Sequence, residues 1–73
     1  MPLIHIELLT GRTPEQKRQL IREVTEAVHR TIGAPIENIR VILTEVPLEH
    51  WAVGGVTMAE RRGQVTDKED VNR

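Results

Sequence analysis

Apolar and polar residues alternate over residues 3–9, Leu-Ile-His-Ile-Glu-Leu-Leu. Ile4, Ile6 and Leu8 make one wholly apolar face, and His5 and Glu7 put polar groups on the other. A period of two with β-branched residues predicts a strand. Thr10-Gly11-Arg12 interrupts it, and the period then changes. Leu20, Ile21, Val24, Ala27, Val28 and Ile32 follow the 3.6-residue period and predict one continuous stripe along a helix. Thr13 suits the N-cap, Pro14 the first helical position, and Gln16 completes a T-x-x-Q capping box. Gly33 supplies the C-terminal stop, with Pro35 two residues later. Residues 40–46, Arg-Val-Ile-Leu-Thr-Glu-Val, read as a second strand ended by Pro47. Gly54-Gly55 is a hairpin signal. From Gln64 the chain is polar and charged without a period, which reads as a disordered tail over 64–73 behind a domain over 1–63.

Strand, helix and strand make a β-α-β unit, so the fold class expected is α+β, with parallel strands, a right-handed crossover and a C-terminal hairpin. Parallel strands need cover on both faces, and one helix supplies one. The other face is expected to meet another copy of the chain. Composition leads to the same place independently. The chain has 73 residues, 8.3 kDa, no cysteine, and Trp51 as its one aromatic residue. A core of this size rarely supplies more than about 3–5 kcal/mol without disulfides, metals or partners. Self-association is the stabiliser that remains.

Charge and cysteine count exclude more than they suggest. Ten basic and eleven acidic residues give a net charge of −1, which argues against nucleic acid and acidic membrane as partners. The absence of cysteine excludes disulfide frameworks, thiol catalysis and Cys-based zinc sites. No long apolar run predicts a transmembrane helix, and no basic start with an apolar segment predicts a secretory signal, so a cytoplasmic location is expected.

The chemistry begins at the second residue. If Met1 is removed, Pro2 presents a secondary amine whose basicity responds to burial and nearby cations, both of which favour the neutral form. Arg12 follows the first strand and Arg40 opens the second. An arginine offers a planar, permanently charged fork that suits a carboxylate. The alternative for each is plain: Pro2 as a mere chain end, the arginines as solvated surface groups.

Pro2 opening a strand, Gly11-Arg12 before a capped helix, Glu15-Gln16-Lys17, Ala34-Pro35, Arg40-Val41 and Gly54-Gly55 together resemble the 4-oxalocrotonate tautomerase family. The likeness runs from Pro2 to about Arg62 without a gap. It implies β-α-β units assembled into a hexamer, a trimer of dimers, and a cofactor-independent isomerase. Three scattered histidines without matching carboxylates argue separately against a metal site. The expected substrate is a small conjugated 2-hydroxy or 2-oxo acid such as 2-hydroxymuconate, of the kind met in aromatic catabolism. By resemblance Pro2 is the general base. Arg12 holds the far carboxylate, and Arg40 engages the 2-oxo group and near carboxylate. Leu9, Trp51 and Val53 line the pocket, with several subunits contributing to each site. The assembly implied is a homohexamer or, with unlike copies, a hetero-oligomer. Trp51 stands where the family usually has phenylalanine, and Asn38 where it commonly has serine near the substrate.

Two other functions are compatible with the same residues. One is hydration-linked dehalogenation of a haloacrylate, which needs a carboxylate to activate water; Val53 occupies the position where trans-specific dehalogenases place glutamate. The other is a non-catalytic binding oligomer. His5 reads as a packed or interface residue and His50 as solvated. His29 lies on the flank of the helical stripe, where dehalogenase and decarboxylase relatives use a helical histidine. Glu23, Glu26, Arg22 and Arg30 read as the wet face of the helix, Arg61-Arg62 as an exposed charge pair, and Met58 as interface packing.

Overall fold

The alternation at the start of the chain forms strand β1, Leu3–Leu9, and the second apolar run forms strand β2, Arg40–Val46. They pair in parallel, from Leu3 opposite Arg40 to Leu9 opposite Val46. A computed structural model describes residues 1–64. Between the strands runs helix α1, Pro14–Ile32. Its entry is the expected capping box: Gln16 N–H donates to the Thr13 hydroxyl, and Thr13 N–H donates to the Gln16 side chain. Its exit is Gly33 at φ +76°, a left-handed conformation that glycine adopts without a Cβ clash, with its N–H on the His29 carbonyl at 3.0 Å.

Register decides what each sheet face carries. Ile4, Ile6, Leu8, Val41 and Leu43 are half-buried on the face α1 covers. Leu20, Ile21, Val24, Ala27 and Val28 of α1 are half-buried as well, but Ile32 is 67% exposed. Ile32 is the last residue of the helix. A 3.1 Å ion pair between Lys17 and Glu45 ties the start of α1 to the end of β2. The second face shows Leu3, His5 and Glu7 beside Arg40, Ile42 and Thr44, all exposed. His5 Nε2 lies 2.8 Å from the Thr44 hydroxyl across that face.

Beyond β2 a short 3₁₀ turn, Leu48–His50, leads to a hairpin of β3, Ala52–Val53, and β4, Val56–Thr57. Gly54 and Gly55 turn it at φ +62° and +85°, the paired positive values that a two-residue turn of this hand demands. Helix α2, Met58–Gln64, follows. The sequence reading had Gln64 as the first residue of a tail, whereas it is the last of this helix. The rest of that proposed tail, 65–73, lies outside the described residues. Thr57-x-x-Glu60 is a second capping box, with Glu60 N–H on the Thr57 hydroxyl and Thr57 N–H on the Glu60 carboxylate. Hairpin and α2 pack on the 3₁₀ turn and on each other. No side chain among the described residues is fully buried.

Candidate active site

Parallel pairing places Pro2 and Arg40 side by side. The Arg40 N–H donates to the Pro2 carbonyl at 3.0 Å, one rung below the first strand pair. Pro2 is half-buried. While Met1 is attached the Pro2 nitrogen is an amide; its removal makes that nitrogen a secondary amine at the same place. The exposed Arg40 guanidinium donates through Nη1 to the Asn38 carbonyl at 3.3 Å. Asn38 ends a 3₁₀ turn, Ile36–Asn38, held by Asn38 N–H on the Pro35 carbonyl at 3.0 Å. His29 joins this end too: Nδ1 lies 2.7 Å from the Ala34 carbonyl oxygen. Pro2, Arg40 and Asn38 thus occupy the edge where both strands begin.

The other candidates lie at the opposite edge. Leu9 is half-buried at the end of β1, where Thr10 N–H continues the ladder to the Val46 carbonyl at 3.1 Å. Arg12 follows two residues later and is exposed. Trp51, half-buried, and Val53, 53% exposed, come after the end of β2. Seven residues of β1 at ~3.3 Å each put about 20 Å between the two edges. One chain therefore does not bring Arg12 to Pro2. Among the described residues neither Arg12 nor Arg40 forms an ion pair with a carboxylate, which leaves both guanidiniums available to an anion.

Helix α2, which the sequence reading missed, ties down Trp51 and Val53 through their backbone. Met58 N–H donates to the Trp51 carbonyl at 2.7 Å, and Arg61 donates through Nη2 to the Val53 carbonyl at 3.3 Å. Arg61 is thus a clasp on the hairpin as well as an exposed charge. The Thr57-x-x-Glu60 box was the signal that could have located the helix. Among the described residues no three His, Asp or Glu side chains lie close enough to hold a metal, and no helix is long and apolar enough to cross a membrane.

A family model described as tautomerase enzyme matches residues 2–61, from Pro2 through the Arg61 clasp. The chain belongs to the tautomerase family. Tautomerases are isomerases, and the relatives carry that name. A 2-hydroxymuconate tautomerase of Pseudomonas putida is 53% identical over 55 residues, 75% of this chain and 87% of the relative. Among solved structures, a 4-oxalocrotonate tautomerase isozyme from Methylibium petroleiphilum superimposes with a TM-score of 0.85 at 41% identity, covering 88% of this chain and 100% of that one. A heterohexamer 4-oxalocrotonate tautomerase from Chloroflexus aurantiacus gives 0.78 at 43% identity, covering 82% and 97%. The tautomerase fold expected from the sequence is the one observed, with α2 added to it.

Proposed function

We propose that this chain is a cofactor-independent keto–enol tautomerase acting on a small conjugated 2-hydroxy or 2-oxo acid such as 2-hydroxymuconate, with Pro2 as its general base. The observation that carries the reading is the 3.0 Å bond from Arg40 N–H to the Pro2 carbonyl, which sets a potential base and a guanidinium without a carboxylate partner among the described residues at one sheet edge. The 53% identity to a 2-hydroxymuconate tautomerase supports the choice of substrate. Met1 is 77% exposed, so a processing enzyme can reach it.

The chemistry is a 1,3- or 1,5-type proton shift. The neutral Pro2 amine takes an acidic proton from the conjugated acid and returns it further along the same system, so no atom is lost or gained. Arg40 opposes the charge that builds on the 2-oxygen during the transfer and engages the near carboxylate. Asn38 lies beside that arginine as a hydrogen-bonding partner for substrate. Arg12 holds the far carboxylate; Leu9, Trp51 and Val53 form an apolar wall that keeps water from the amine and favours its neutral form.

The 20 Å between the two edges requires that each site be shared between protomers. A two-fold pairing with strands antiparallel sets the Pro2 edge of each copy against the Arg12 and Trp51 edge of the other, and so completes two sites at once. Repetition of such dimers around the exposed sheet face gives the hexamer, built from identical or unlike chains. The relative from Chloroflexus aurantiacus named as a heterohexamer supports that assembly. A steady-state assay with 2-hydroxymuconate tests the function. Wild-type turnover that falls by about 10- to 100-fold in Arg40→Ala is expected from the loss of a charged contact; no turnover, with halide release from 3-chloroacrylate instead, overturns it in favour of dehalogenation.

A further inference from the structure

We propose that His29 is a positioning residue that sets the Arg40 guanidinium through the loop between α1 and β2. This rests on the role given to Arg40 above. The loop is tied by a short series of bonds. Gly33 N–H meets the His29 carbonyl at 3.0 Å, and the His29 ring meets the Ala34 carbonyl at 2.7 Å. Asn38 N–H meets the Pro35 carbonyl at 3.0 Å, and Ile39 N–H the Ile36 carbonyl at 3.2 Å. The Asn38 carbonyl then receives Arg40 Nη1 at 3.3 Å, and Arg40 N–H meets Pro2.

Among these bonds only those of His29 and Arg40 use a side chain. A carbonyl oxygen accepts and never donates, so the proton of the neutral imidazole sits on Nδ1. The bond falls immediately after Gly33, the left-handed hinge where the chain leaves the helix and where its direction is least constrained by sterics. Both His29 and the Arg40 side chain are exposed, so the bond adds little stability by burial. Its consequence is geometric: it aims Ala34-Pro35, and with them the 3₁₀ turn whose last carbonyl holds the guanidinium. A helical histidine here acts on the arginine through the backbone, with no contact to substrate.

Side-chain geometry supplies the test. The amide nitrogen of asparagine falls near the place of Nδ1, and that of glutamine near the place of Nε2. His29→Asn keeps the donor and is expected to retain wild-type kcat/KM for 2-hydroxymuconate. His29→Gln and His29→Ala lose it and are expected to fall by about fivefold, the effect of one ordinary hydrogen bond. In an Arg40→Ala background the His29 substitutions are expected to cost nothing further, because the group they act through is gone. Equal activity of His29→Asn and His29→Gln, or losses that add to those of Arg40→Ala, would overturn the proposal while leaving the tautomerase reading intact. A wild type without turnover, or an Arg40→Ala variant with full activity, overturns both and is recognised by those controls alone.

Discussion

Removing one methionine converts the Pro2 nitrogen from an amide, which cannot accept a proton at neutral pH, into a secondary amine that can. Intact mass of the active protein is therefore expected to lack Met1; full activity with Met1 retained would exclude the amine as base. Pro2→Ala keeps an α-amino group but not the rigid ring, and is expected to lower kcat by about 10²-fold or more, within the range general-base catalysis contributes. In the proposed site Arg12 holds the substrate far from the proton shift, so the loss in Arg12→Ala is expected chiefly in KM. If Arg12→Ala lowers kcat as far as Pro2→Ala does, the division of labour between the two edges is wrong. The sequence showed these residues as candidates because each sits at a transition between elements, where a side chain escapes the packing of a strand or stripe. It did not show that the Ala34 carbonyl engages His29, because the partner is a backbone atom with no identity in the sequence.

At the scale of elements, local chemistry was read well where it is stored locally. Both strands and α1 were legible because alternation, a capping box and a left-handed glycine are properties of neighbouring residues. Helix α2 was not read, although Thr57-x-x-Glu60 is the same capping device: with one turn before Gly63 and no apolar stripe behind it, periodicity gave no support. Ile32 kept the period of the stripe but stands 67% exposed at the last position of the helix. Thr57→Ala is expected to cost about 1 kcal/mol by removing the cap. Thermal unfolding measures that loss, and an unchanged melting temperature would mean that α2 contributes nothing to stability. Gly55→Val forces a β-branched residue to φ +85° and is expected to cost about 1–3 kcal/mol, read the same way.

The whole molecule is where the chain stops being sufficient. A radius of gyration of 15.9 Å, against about 11 Å for a compact chain of this length, leaves no interior. An isolated two-stranded sheet is marginal in water, and here one of its faces is open. Need for a partner was legible from composition and from the single covering helix. A site shared between subunits was expected from the family resemblance alone, although parallel strands already imply that a residue before β1 and one after it lie at opposite edges. Sedimentation is expected to show a hexamer, and a stable monomer at micromolar concentration would contradict the packing argument. Sharing can be tested apart from mass. Pro2→Ala and Arg12→Ala, unfolded together in equal amounts and refolded, are expected to regain about a quarter of wild-type sites if each site takes its proline and arginine from different copies mixed at random. No recovery would place both groups in one protomer.

The pH dependence of kcat/KM tests the base most directly. In the proposed site the amine lies beside guanidiniums and an apolar wall, which disfavour its charged form relative to an ordinary α-amino group, whose pKa lies near 7.7–8.0. The base must be neutral, so activity is expected to rise with pH through an inflection below that range, and the inflection is expected to disappear or move in Pro2→Ala. A profile that rises only above it, or one that Pro2→Ala reproduces unchanged, would contradict Pro2 as the group that moves the proton.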